Sequence, residues 1–182
     1  MTASGAPPEW QAGRVDAGSA FDELVAAMDG ALVVVTAATG DDRDGCLVGF
    51  HSQCSIEPRR YAVWLSKANR THDIARRARH LAIHLVGRDD HDLAELFGGE
   101  TGDDVDKLAQ CDWEPGPGGV PLLARCSARF MGRVVERASG IGDHDLFVLE
   151  INHADGSDVP DALLRLSAAT DIEPGHGPTE RR

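Results

Sequence analysis

The 182-residue chain lacks the marks of several large protein classes. Its longest apolar run, Gly30–Ala38, falls far short of the roughly 18–20 residues a membrane-crossing helix needs, so no membrane association is expected. Met1–Trp10 carries neither a basic nor an apolar segment, and no secretory signal is expected there. The four cysteines, Cys46, Cys54, Cys111 and Cys126, form no Cys-x-x-Cys pair; they are expected to be reduced thiols in a cytoplasmic protein. Gly-x-Gly-x-x-Gly and Walker-type loops are both missing, and with them the dinucleotide and nucleoside triphosphate fingerprints. His-Glu-x-x-His is missing too. His80 and His84 stand four apart on a strand pattern, and His51 and Cys54 are too isolated to form a set, so no metal site is expected. Without a Gly-x-Ser-x-Gly elbow, and with nothing marking Cys54 as an activated thiol, nucleophilic catalysis finds no support.

What is present is an ordinary globular composition, 42% hydrophobic and 26% charged, at a length suited to one domain with tails. The net charge of −12 opposes binding to a phosphate backbone, so no nucleic-acid partner is expected. The charge is uneven, however. Between Arg59 and Arg88 eight bases face one acid, Asp73, giving +7, while the rest of the chain has ten bases against twenty-nine acids, giving −19. A basic island in an acidic chain points to a local anion site or, more simply, to a solvated arginine face.

Residues 1–18, rich in Gly, Ala, Pro and Ser, read as a disordered leader, 19–172 as the folded domain and 173–182 as a flexible tail. Phe21–Met28 has helical spacing. Ala31–Ala38 reads as a buried strand, Thr39–Gly45 as a polar turn, Cys46–Ile56 as a second strand and Tyr61–Leu65 as a third. Helices follow at Thr71–Arg79 and Asp89–Phe97, with an alternating strand, His80–Val86, between them. Trp113–Pro121, with three prolines and three glycines, reads as an irregular loop. Strand patterns return at Leu122–Glu136, His144–Ile151 and Ala162–Ser167. Strands dominate and do not alternate with full-length helices, which argues for a small closed β-barrel with helices packed outside rather than a Rossmann sheet.

Three segments carry candidate chemistry. Ser66-Lys67-Ala68-Asn69-Arg70-Thr71 follows a strand and opens a helix; its hydroxyl, amide and cationic side chains suit a phosphomonoester or diphosphate, and its plain alternative is a helix cap with two exposed bases. His51-Ser52-Gln53-Cys54-Ser55 sits within a strand pattern, where alternation turns half the side chains toward a cleft that a ligand rich in hydrogen-bonding edges would satisfy; the alternative is a solvated edge strand. Gly142-Asp143-His144-Asp145 is a turn with a histidine between carboxylates, suited to binding an anion or donating a proton, or else simply a surface turn.

The order of these elements resembles the flavin reductase-like family, the FMN-binding split barrels. The resemblance is carried by the Ala31–Thr36 strand, Gly45, Ser52–Ser55, Pro58, Lys67–Thr71 with His72, Leu81–Val86, Phe97-Gly98, the Trp113–Pro121 loop and Gly142-Asp143-His144. It implies an α+β chain built on a six-stranded split barrel that forms a homodimer, with FMN, or FAD in its place, near the dimer interface. It further implies NAD(P)H as electron donor, and a partner monooxygenase, oxygen or a second flavin as acceptor. By the same resemblance Ser52, Gln53, Cys54 and Ser55 lie along the isoalloxazine and ribityl chain. Ser66, Lys67, Asn69, Arg70 and Thr71 take the phosphate, and His144 lies on the nicotinamide side as the candidate catalytic residue. The chain departs from the family at three places. Leu47, Gly49 and Phe50 stand where many members carry Thr-x-Asn-Ser, the phosphate loop reads Asn69-Arg70-Thr71 where Ser-x-Thr is usual, and Leu164–Ser167 lacks the aromatic-Gly-Gly ending. The expected activity is that of an NAD(P)H-dependent flavin reductase; a flavin-binding carrier or sensor is the alternative.

Overall fold

The strand β1 (Val33–Thr39) is apolar on both faces, and both are buried. Val33, Val35 and Ala37 join one core with Leu81 and Ile83 of β5 (His80–Leu85). Val34 points the other way, into a second core with Leu93 and Phe97 of the helix α3 (His91–Gly99). The computed structural model describes residues 16–156 and 158–175.

Seven antiparallel strands form one sheet. With β2 (Asp42–Val48), β3 (His51–Ser55), β4 (Arg60–Ser66), β8 (Arg129–Ala138) and β9 (His144–Asp155), the order is β2-β1-β5-β8-β9-β4-β3. The sheet curls on itself: Cys46 and Val48 of β2 share the first core with Val63 and Leu65 of β4, although the two strands stand far apart in the order. This is the split barrel expected, with seven strands in place of six. Burying that core, at roughly 25 cal/mol per Å² of apolar surface, is the main force closing the sheet.

Several segments fold differently from their sequence reading. The Cys46–Ile56 strand is two strands broken at Gly49-Phe50, which lets the chain leave β2 at one edge of the sheet and enter β3 at the other. The polar turn shrinks to Gly40-Asp41, where Gly40 takes a positive φ of 60°. The Trp113–Pro121 loop is largely a hairpin, β6 (Trp113–Pro115) paired with β7 (Pro121–Leu123). Its Leu122 packs on Ala82 and Met131, covering the outer face of the sheet. Ala162–Ser167 makes only isolated bridges, Gly87 with Leu163 and Ala31 with Arg165.

Helix α1 (Ala17–Met28) starts four residues before its expected start and takes in Ala17 and Gly18 of the expected leader. Asp16 caps it by accepting from Ser19 N–H at 3.1 Å. None of its residues is buried, and Phe21, Leu24 and Met28 are exposed. The remaining leader, residues 1–15, and tail residues 176–182 lie outside the described residues. No described helix is long and apolar enough to cross a membrane.

Candidate flavin site

A cleft of about 370 Å³ opens where β2 and β4 end beside the turn that leads into β9. One side is the end of β2 with the break after it, Cys46 to Phe50. A second is Trp64 and Ser66 at the end of β4, followed by Asn69. Asp143 and His144 come next, because Ser66 and His144 are paired in register across β4 and β9. Leu32, Gly98 and the C-terminal segment, from Leu166 through Ala169 and Ile172 to Pro174, complete the lining. Gly98 is needed for that closure: a Cβ there would come 3.0 Å from Leu47 Cδ2 and 3.1 Å from Ile172 Cγ2.

The lining divides by chemistry. Ser66, Asn69, Asp143 and His144 gather hydrogen-bonding groups at one end. Leu32, Leu47, Val48, Phe50, Trp64 and Leu166 make the rest apolar. Such a cleft suits a planar ring carrying a polar or anionic arm.

The loop at the polar end is shaped by its own side chains. Asn69 caps helix α2 (Arg70–Ala75), its Oδ1 accepting from Thr71 N–H at 3.1 Å. Ser66 Oγ accepts from Ala68 N–H at 3.3 Å. His144 donates Nδ1–H to Asp143 at 2.8 Å and lies 5.1 Å, ring to ring, from Phe50. That hydrogen bond is the leading cause holding the Asp143 carboxyl below its ordinary range.

Of the five phosphate candidates, the cleft gathers Ser66 and Asn69. Lys67 turns aside; its ammonium donates to Gly142 O and lies 3.5 Å from Asp145. Arg70 pairs with Asp42 at 2.8 Å. Thr71, fully buried, donates to Asp44 at 2.8 Å. Ser52, Gln53, Cys54 and Ser55 lie on the edge strand β3, outside the cleft lining. Ser52, Gln53 and Cys54 are exposed, and the hydroxyl of Ser52 and the amide of Gln53 bond to nearby backbone. His51, beside them, is committed elsewhere: its Nε2–H donates to Ala31 O at 2.8 Å, so Nδ1 accepts from the Tyr61 hydroxyl at 2.6 Å. Sequence reasoning missed Cys46–Phe50, Trp64 and the C-terminal segment as cleft walls. A signal existed for the first: Leu47, Gly49 and Phe50 are where the chain departs from the family pattern.

Comparison with known proteins agrees with this architecture. Residues 25–166 match the flavin reductase like domain. The FMN reductase (NADH) SmoA of Agrobacterium fabrum is 30% identical over 141 residues, covering 75% of this chain and 77% of that one. The high molecular weight rubredoxin of Moorella thermoacetica is 26% identical over 124 residues, 68% of this chain; the aligned region is 54% of the rubredoxin's length. The crystal structure of the FMN-binding protein of Thermus thermophilus with bound 1-cyclohex-2-enone superposes with a TM-score of 0.65 at 24% identity, covering 86% of this chain and 79% of that one, and shows the same fold. With its curled antiparallel sheet and a domain match over most of its length, the chain belongs to the flavin reductase-like family.

Proposed function

We propose that the chain is an NAD(P)H-dependent flavin reductase that binds FMN in this cleft. The observation that carries the reading is the meeting, in one cleft, of Ser66 and Asn69 with His144 around an apolar lining. Family membership and similarity to an FMN reductase (NADH) support the same activity. Ser66 and Asn69 donate to the phosphate, with Lys67 close behind in sequence as a source of positive charge. Phe50, Trp64 and the residues at the end of β2 flank the ring, and Ser52–Ser55 stay candidates for the outer ribityl edge. FMN, when bound, supplies the hydride-accepting chemistry; the protein positions it and excludes water. His144 stands where it can contact the nicotinamide or the substrate.

The exposed apolar residues Phe50 and Leu166 beside the cleft, with Phe21, Leu24 and Met28 of α1, support a homodimer that covers them. Reduced flavin then passes its electrons to a partner oxygenase, to oxygen or to a second flavin, in the cytoplasm.

The test is titration of flavin-stripped protein with FMN, followed by flavin fluorescence, and then NADH and NADPH oxidation. Saturable quenching at micromolar protein with steady turnover supports the reading. Quenching without turnover replaces it with a flavin carrier or sensor. No quenching removes the flavin site.

A further inference from the structure

Two consecutive side chains of α2 are fastened to two buried aspartates on different strands. Thr71 donates to Asp44 of β2 at 2.8 Å, and His72 donates Nε2–H to Asp145 of β9 at 2.9 Å. Asp44 is 3% exposed and Asp145 6%. Each aspartate has a lysine beside it, Lys107 at 3.4 Å and Lys67 at 3.5 Å, and the chain has no other lysines.

The Asp145 cluster reaches the cleft. Lys67 directly follows Ser66; its backbone N–H donates to Asp143 O at 2.9 Å and its ammonium to Gly142 O. Asp145 directly follows His144. One carboxylate therefore joins α2 through His72, the Ser66–Asn69 loop through Lys67, and the Asp143-His144 turn through its own backbone. Burial opposes the charge on Asp145. The hydrogen bonds from His72 and Ser139, with Lys67 nearby, outweigh it and hold the carboxyl below its ordinary range. Oδ2 accepts from His72, and the buried Oδ1, which has no hydrogen bond among the described residues, is met by the Lys67 ammonium at 3.5 Å; losing either partner leaves charge uncompensated in a poor solvent.

We infer that Asp145 is a positioning residue for the anion-binding end of the cleft. It fixes Ser66 and Asn69 where an anionic arm meets them, acting through His72 and Lys67 without touching the ligand. This rests on the FMN reading above. A merely structural role would loosen the whole cleft; a positioning role is felt by the phosphate.

Titrating the full-length flavin-stripped protein with FMN and with riboflavin, which lacks the phosphate, separates the two roles. Asp145→Asn keeps the shape and removes the charge. It is expected to weaken FMN binding about tenfold and to leave riboflavin binding within about twofold. Equal weakening of both flavins, or unchanged FMN affinity, overturns the inference. A cycle with Lys67→Ala checks the route: in that background, where His72 is the arm that remains, Asp145→Asn is expected to cost clearly less than its tenfold, and an undiminished second tenfold loss overturns it. If the wild-type chain binds neither flavin, the flavin reading itself falls, a failure seen before any variant is made.

Discussion

The backbone N–H of Leu123 donates to Nε2 of His84 at 3.1 Å, and Nδ1 of the same ring donates to Val34 O at 3.2 Å. His84 is fully buried, and through these two bonds it bridges β5, the hairpin strand β7 and β1. A ring that must accept at Nε2 has to be neutral. Burial pushes its pKa from 6.5 down to about 4. In the window between those values the unfolded chain takes up a proton that the folded chain refuses. The stability tied to His84 is therefore present above about pH 6.5 and is lost as the pH falls toward 4. Between pH 7 and pH 5 the loss is about 2 kcal/mol. Urea unfolding at the two pH values measures it, and His84→Gln is expected to flatten this dependence. An equally steep dependence in the variant would assign it to other groups.

Lys107 makes a different commitment. It is 1% exposed, its ammonium 3.4 Å from both Asp44 and Glu100 O. Lys107→Met fills the space and leaves Asp44 with the Thr71 hydroxyl but no counter-charge. The expected cost is about 3–5 kcal/mol, the scale for breaking one side of a buried pair. A shift in the denaturation midpoint worth less than about 1 kcal/mol would mean that water reaches the pair.

These two buried groups show what was legible in the sequence and what was not. The Val33–Val35 run and the Leu81/Ile83 alternation identified their strands because each residue's periodicity reports its own burial. The Ser66–Thr71 segment was legible as a loop opening a helix because Asn69 and Thr71 are both caps by residue type; which of them caps, Asn69, is read only from the structure. The direction of Lys67, Arg70 and Thr71 was not, since it depends on aspartates far away in sequence: Asp145, Asp42 and Asp44. Nor does alternation tell an edge strand from a covered one. Among the described residues, the polar residues of β3 meet no neighbouring strand on one side, and that follows only from the order of the whole sheet. The cleft wall from Leu166 to Pro174 was invisible for the same reason, its role being set by contact with Leu47 and Gly98 more than sixty residues earlier.

Within the cleft, Ser66→Ala and Asn69→Ala are each expected to weaken FMN binding by about 1–3 kcal/mol, the range for a hydrogen bond to a charged group. Asn69→Ala also removes the α2 cap, worth about 1 kcal/mol of stability, so its thermal midpoint falls further than that of Ser66→Ala, which loses only the longer 3.3 Å bond from Ala68 N–H. Fluorescence titration beside thermal melts separates binding from folding. Unchanged affinity in both variants would remove the phosphate from this end of the cleft.

His144 offers the sharpest division between binding and turnover. Its ring bonds to Asp143 and leans on Phe50, yet Ser66 and Asn69 stay in place without it, because their loop is held by its own capping bonds and by Lys67. His144→Ala is therefore expected to leave FMN affinity within about twofold while slowing reduction by NAD(P)H about tenfold or more, the scale of one lost positioned contact. Anaerobic stopped flow at saturating FMN, following flavin bleaching, reads the rate directly. If bleaching is as fast as in the wild type, His144 serves only the shape of the turn, and contact with the nicotinamide must come from elsewhere on the cleft rim. If affinity falls along with the rate, His144 belongs to the flavin site proper. A thermal melt of the same two samples, with an unchanged midpoint in the variant, separates either result from a folding defect.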